Sequence, residues 1–141
     1  MNALGMPEFL NVDLDLEGRI RFEELVMALG SKLLVLNREG NRVTFELPVQ
    51  PKTPETAIRH YSRVIESLPR ELQAAWRRCR TRRFDVGVRV GSSPQSAMIQ
   101  VSNVAIASLA RLGADLAFTV YVPVLDSGVR QSRGNRQKPS R

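Results

Sequence analysis

A change of hydrophobic period inside residues 69–91 constrains the fold of this chain more than any other feature. Leu72, Ala75, Trp76 and Cys79 follow the i, i+3, i+4, i+7 spacing of one helix face. Beyond the arginines that follow, apolar residues alternate with polar ones or glycine, which is the period of a half-buried strand. The pattern predicts a short helix, with Trp76 and Cys79 in the core, that runs directly into a strand.

The same stretch carries the densest cluster of cations in the chain, and all of them are arginines. Because they fall outside the apolar spacing, we expect their side chains to face water and to be available to a partner. The candidate partner-binding residues are Arg77, Arg78, Arg80, Arg82, Arg83 and Arg89.

Charge is distributed unevenly along the chain. Residues 1–66 hold ten acidic and eight basic residues, net −2, whereas residues 67–141 hold four acidic and thirteen basic residues, net +9. A basic half is typical of a protein that binds a polyanion, either nucleic acid or the acidic surface of another protein. An arginine-rich composition that serves only solubility is the alternative explanation.

The remaining elements follow from the same two periods and from turn residues. The predicted order is β-α-β-β-α-α-β-(β)-α-β, with a hairpin formed by residues 32–36 and 42–47. The bracketed strand covers residues 97–101. Strands interleaved with helices, together with one hairpin, predict an α+β fold, a two-layer sandwich with a mixed β-sheet and helices packed on one face.

The length suits one domain, and we expect a single globular unit at residues 1–125. Residues 126–141 contain almost no apolar side chain, so we expect a disordered basic tail. No apolar run is long enough to span a bilayer, and the first residues do not form a secretory signal. With one cysteine in the chain, these features predict a cytoplasmic protein without membrane contact.

Residues that could carry chemistry are few, and we expect no catalytic, metal or cofactor site. His60 is the only histidine, and Cys79 is predicted to be a buried apolar residue. Asp13 and Asp15 share one strand face, which a solvated sheet surface explains. A small-ligand site formed by Asp85 with Arg89 and residues 91–94 is a third hypothesis, which depends on a pocket beside them.

Several segments together resemble a known family. They are FLNVDLDLEG, LVMALGSKLLVL, ELPVQPKTPETAI, LPRELQAAWRRCRTRRFDVGVRVG and LARLGADLAFTVYVP, which span about residues 8–123. The chain resembles a family of small bacterial domains of unknown function, some of whose members are suspected immunity proteins of toxin systems. Trp76 followed by residues 83–87 is the most distinctive match, then residues 112–114 before residues 119–121. The resemblance implies a fold and a bacterial cytosolic setting, and it implies no catalytic residues.

The sequence therefore predicts a non-enzymatic module that binds another protein with an acidic surface, and the resemblance implies a bacterial origin and an immunity-type role. The alternative is a nucleic-acid-associated protein that uses residues 77–83 and the basic tail. Proteins that bind single strands usually interleave aromatic residues with cations, and here the nearby Trp76 and Phe84 are predicted to be in the core. The oligomeric state is left open.

Overall fold

The computed structural model describes residues 7–91 and 98–122. Its strands are β1 (Glu8–Glu17), β2 (Leu34–Glu39), β3 (Arg42–Glu46), β4 (Thr81–Arg89) and β5 (Asp115–Tyr121). Its helices are α1 (Phe22–Gly30), α2 (Pro54–Glu66), α3 (Arg70–Arg77) and α4 (Asn103–Leu112). The predicted element order and the α+β sandwich are confirmed.

The five strands form one mixed sheet in the order β2-β3-β1-β4-β5. β1 lies in the centre and pairs antiparallel with both β3 and β4, while β5 runs parallel to β4. A parallel pair needs a crossover connection, and α4 provides it between β4 and β5.

The two faces of the sheet follow from the alternation in β1. Val12, Leu14 and Leu16 are buried, and Leu14 lies opposite Phe45 on one side and Phe84 on the other. The helices cover this apolar face. The residues between them in β1 lie on the other face, and they are polar or acidic.

Tyr61 on α2 joins the helix layer to the centre of the sheet. Its hydroxyl donates to the Val12 carbonyl oxygen at 2.7 Å, and the Phe45 carbonyl oxygen lies 3.3 Å away. Its ring also packs against Phe84, with 5.1 Å between the ring centroids. A buried tyrosine needs a partner for its hydroxyl, and here sheet carbonyl oxygens satisfy it.

Side chains and a glycine set the bounds of two helices. The Thr53 hydroxyl accepts a hydrogen bond from the Thr56 N–H at 3.1 Å ahead of Pro54, which begins α2. Ser102 caps α4 in the same way, and Gly113 ends it with a φ of 68°.

The structure corrects two details of the prediction. The hairpin strand β2 continues to Glu39, so residues 37–39 belong to the strand and the turn is confined to Gly40 and Asn41. Residues 98–101 do not form the bracketed strand, and residue 97 lies outside the described residues. Since β1 and β5 occupy both edges of β4, no position beside β4 is left for another strand. The boundary at residue 125 and the predicted tail, residues 126–141, also lie outside the described residues.

Candidate functional site

On the apolar side of α3, Ala75 and Trp76 are buried as their spacing predicts, and Leu72 is half-buried. Trp76 is 3% exposed, and its indole N–H donates to the Leu112 carbonyl oxygen at 2.9 Å. Cys79 is also buried, but it lies two residues beyond the end of α3 and not on the helix as predicted. The hydrogen bond joins α3 to the last turn of α4, so the tryptophan holds two helices together as well as filling the core.

Arg82 differs from the rest of the arginine run because its guanidinium group binds backbone carbonyl oxygens. Its Nη1 lies 2.8 Å from the carbonyl oxygen of Cys79, 2.9 Å from that of Arg77 and 3.3 Å from that of Trp76. Its Nε donates to the Gly113 carbonyl oxygen at 2.8 Å. Arg82 therefore satisfies carbonyl groups at the ends of α3 and α4, and we assign it a structural role in place of the expected exposure.

Arg83 and Arg89 lie on the face of the sheet opposite the helices, and each pairs with a carboxylate of β1. Arg83 contacts Asp15 at 3.2 Å, and Arg89 contacts Glu8 at 2.8 Å. Exposed pairs of this kind contribute about 0 to 1 kcal/mol, so their guanidinium groups remain accessible but are partly neutralised.

The other three candidates, Arg77, Arg78 and Arg80, are exposed. Their guanidinium groups form no ion pair or hydrogen bond with any residue in the described part of the chain. The candidate set thus divides into one structural arginine, two arginines in ion pairs, and three whose charge is not compensated by the described residues.

Arg78 and Arg80 lie beside an open cleft of about 650 Å³ at one end of the sheet, which we name the Gly18 cleft. Arg19, the residue after Gly18, adds a third cation to its wall. The lining residues are Glu17, Gly18, Arg19, Ile20, Asn41, Arg78 and Arg80.

Backbone hydrogen bonds bring these separate segments together. The Arg80 N–H donates to the Glu17 carbonyl oxygen at 2.7 Å, and the Gly18 N–H donates to the Asn41 carbonyl oxygen at 3.1 Å. A side chain at Gly18 would not fit, because its Cβ would lie 2.7 Å from Phe22 Cδ1. The close approach of the chain to α1 therefore requires glycine at the base of the cleft.

The charge balance in the cleft is positive. Its one acidic residue, Glu17, already faces two partners outside the lining, with 3.7 Å to Arg42 Nε and 3.4 Å to the Thr81 hydroxyl oxygen. Arg19, Arg78 and Arg80 have no such partner among the described residues. Their guanidinium groups can each donate several hydrogen bonds in a planar fork, which suits carboxylate and phosphate ligands.

Sequence reasoning identified Arg78 and Arg80 but missed Arg19, Ile20 and Asn41. These three residues lie in the β1–α1 connection and in the hairpin turn, far from the arginine run along the chain. They reach it because Glu17 at the end of β1 pairs with Thr81 at the start of β4. No local pattern indicates this juxtaposition.

The residues considered for chemistry have other environments. Burial raises the pKa of the Cys79 thiol to about 11, an effect that the nearby Arg82 partly opposes, so the nucleophilic thiolate is scarce at neutral pH. The Asp85 carboxylate accepts a hydrogen bond from the Thr119 hydroxyl at 2.8 Å, and residues 92–94 lie outside the described residues. Within residues 7–91 and 98–122, no group of His, Cys, Asp and Glu side chains is arranged to hold a metal ion.

Because the pKa of the Cys79 thiol is raised, we expect the protein to lose stability in alkaline solution. A pKa raised from 9.0 to about 11 means that the folded state holds the proton more tightly than the unfolded state. The stabilisation is complete below pH 9 and is lost as pH rises toward 11, at up to about 1.4 kcal/mol per pH unit. We expect the Cys79 thiol to account for about 2 kcal/mol of the fall in the free energy of unfolding across this window, as measured by urea denaturation.

Burial raises the pKa of the Tyr61 hydroxyl as well, and nearby Asp13 and Glu46 add to the effect. Tyr61 therefore lowers the free energy of unfolding only above pH 10.0, which is the ordinary pKa of a tyrosine. In a Cys79→Ala variant the fall should therefore begin about one pH unit later and be shallower. A fall of the same size and onset in that variant would contradict the assignment to Cys79.

The chain matches no family model, no curated protein and no solved structure. Among the helices of the described residues, none has the length and apolar character to cross a membrane. The fold and the cleft therefore define the class of this protein: it is an α+β sandwich with a mixed five-stranded sheet and an arginine-lined cleft at one end of the sheet.

Proposed function

We propose that this domain is a non-enzymatic module that binds the acidic surface of another protein through the Gly18 cleft. One observation carries the proposal: Arg19, Arg78 and Arg80 line one cleft and have no charged partner among the described residues. Uncompensated cations at one site favour a ligand that brings carboxylates, because charge-assisted pairs with arginine are strong and directional.

Ile20 favours a protein ligand over a small anion. It lies in the lining of the same cleft and is 55% exposed. An apolar side chain surrounded by arginines is the composition of an interface centre, where apolar contact supplies affinity and charges select the partner.

Nucleic acid is the second candidate, and two observations make it less favoured. The cleft lining contains no aromatic residue on which a base could stack. The polar face of the sheet next to it carries the acidic residues of β1, and Asp15 there already binds Arg83. These carboxylates would repel a phosphate backbone laid along the sheet.

The absence of an enzymatic role is part of the proposal. It is supported by the buried, high-pKa thiol of Cys79 and by the position of His60 on α2, outside the cleft lining. The resemblance of the sequence to suspected immunity proteins adds the expectation that the partner is a bacterial toxin with an acidic surface.

Charge reversal in the cleft tests this function. We expect an Arg78→Glu, Arg80→Glu double variant to bind its protein partner about thirtyfold more weakly, because two cation–carboxylate contacts become repulsive. The partner is first captured from a bacterial lysate and identified by mass spectrometry. Its affinity is then measured with purified proteins by isothermal titration calorimetry.

The matched control is an Arg63→Glu, Arg70→Glu double variant. Both residues are exposed, and the net charge changes by the same amount on a different part of the surface. We expect the control to change affinity by less than about threefold. Equal losses in both double variants would overturn the proposal. Capture of RNA or DNA alone, with affinity that falls steeply as salt is raised, would support the nucleic-acid candidate.

A further inference from the structure

The two edge strands of the sheet differ in the features that prevent pairing with a further strand. β2, at one edge, carries Arg38 and Glu39 and has a register shift against β3 between Val35 and Asn37. Charges and irregularities of this kind prevent a sheet edge from pairing with another strand. β5, at the other edge, pairs with β4 without a register shift and contains no lysine, arginine, proline or glycine.

The side chains of β5 that share a face with the core are apolar but partly uncovered. Leu116, Phe118 and Val120 lie opposite Phe84, Val86 and Val88, whose side chains are buried under the helices. Phe118 is nevertheless 47% exposed and Val120 54% exposed. An apolar edge strand without protection is a site where a further strand is expected to add.

The backbone of the same residues faces outward. The Tyr121 carbonyl oxygen accepts a hydrogen bond from the Val90 N–H, so the backbone of Tyr121 is turned toward β4. Because the direction alternates along a strand, Leu116, Phe118 and Val120 turn their N–H and C=O groups away from β4. Among the described residues no strand lies beyond β5 to receive them.

We propose that β5 is a dimerisation edge, at which a second copy of this chain adds its own β5 antiparallel about Phe118. In this pairing Phe118 faces Phe118 of the second copy, and Leu116 faces Val120, so apolar side chains meet at each outward position. The outward-facing backbone groups of these residues become hydrogen-bonded pairs. The two sheets form one continuous sheet with both helix layers on the same side, which is a closed twofold arrangement.

Charge and neighbouring surface also favour a second copy as the occupant. Asp115 is the only charged residue of β5, and the pairing places the two copies of Asp115 at opposite ends of the junction. α4, which packs beside β5, exposes Val104 and Ile106. The twofold arrangement brings α4 of each protomer to the same side of the new junction.

The test measures the mass of the full chain by sedimentation equilibrium up to about 100 µM, where a weak dimer is populated. For the wild-type chain we expect the mass of two chains. We expect Phe118→Lys to weaken dimerisation by about a hundredfold or more, because it removes apolar contact and places like charges opposite each other. The matched control is Val35→Lys at the other edge, because Val35 is 49% exposed against 47% for Phe118 and also shares the helix-covered face. It should leave the dimer intact.

A cross-link keeps the proposal testable if circular dichroism shows that Phe118→Lys does not fold. Opposed residues in such a pair have Cα atoms about 5.5 Å apart, within the range that a disulfide spans. Phe118→Cys should therefore form a covalent dimer on oxidation, whereas Val35→Cys and the wild-type chain, whose Cys79 is buried, should not. A chain that is monomeric at every concentration would overturn the proposal. A dimer broken by Val35→Lys and not by Phe118→Lys, or a dimer without the Phe118→Cys cross-link, would do the same.

Discussion

Replacing Trp76 by alanine should lower the free energy of unfolding by about 3 to 5 kcal/mol. The indole is 3% exposed, and its N–H donates to the Leu112 carbonyl oxygen, so the change opens a cavity and also leaves a carbonyl group at the end of α4 without that donor. Since small domains are stable by about 5 to 15 kcal/mol in total, the variant should be largely unfolded at moderate temperature.

Urea denaturation followed by far-ultraviolet circular dichroism measures this loss without depending on tryptophan fluorescence. Trp76→Phe is the informative companion, because it keeps most of the apolar contact and removes the N–H donor, and it should lose about 1 to 2 kcal/mol. Arg77→Ala, the next residue along α3 but exposed, should change stability by less than about 0.5 kcal/mol. A loss below about 1 kcal/mol for Trp76→Ala would show that the ring does not hold α3 and α4 together.

Replacing Arg82 by methionine should cost about 3 kcal/mol, although an exposed arginine ordinarily contributes little. The guanidinium group contacts carbonyl oxygens at the end of α3 and that of Gly113 after α4, and methionine keeps the aliphatic stem while removing every donor. These carbonyl groups lie at helix ends, where no further turn of the helix can satisfy them.

Arg80→Met is the matched control for this change. It makes the same substitution two residues away, at an exposed side chain that forms no hydrogen bond with the described residues, and we expect a change below about 0.5 kcal/mol. Arg82→Lys should recover only part of the stability, because one ammonium group cannot reach carbonyl oxygens on both helices. Equal effects of Arg82→Met and Arg80→Met in urea denaturation would contradict the structural role of Arg82.

The elements whose apolar spacing is regular could be predicted from the sequence. Trp76 is buried on α3 and Cys79 is buried just beyond its end, while Phe84, Val86 and Val88 are buried at strand spacing. These predictions succeed because the period of a local structure determines which side chains share a face, whatever the rest of the chain does. Residues 98–101 are not a strand, because a short apolar run can contribute to the core from a connection as well as from a strand, as Ile99 and Val101 do.

The candidate site was predicted only in part. Arg78 and Arg80 are exposed as expected, but the availability of a cation depends on what the fold places beside it. Arg82 is engaged because Gly113, which is 31 positions away in sequence, ends α4 next to α3. Arg19 joins the cleft only because β1 and β4 pair in one register.

The sequence by itself therefore determined the order of the helices and strands in the described residues, the apolar face of most of them and the excess of positive charge, since these depend on neighbouring residues along the chain. The tertiary structure decided which arginines are bound to carbonyl oxygens or carboxylates and which line the Gly18 cleft. It also decided that β5, with Phe118 partly uncovered, lies at an edge of the sheet. Strand order and register are set by long-range pairing, in which residues far apart in the chain compete for the same partners, and no local period encodes the result.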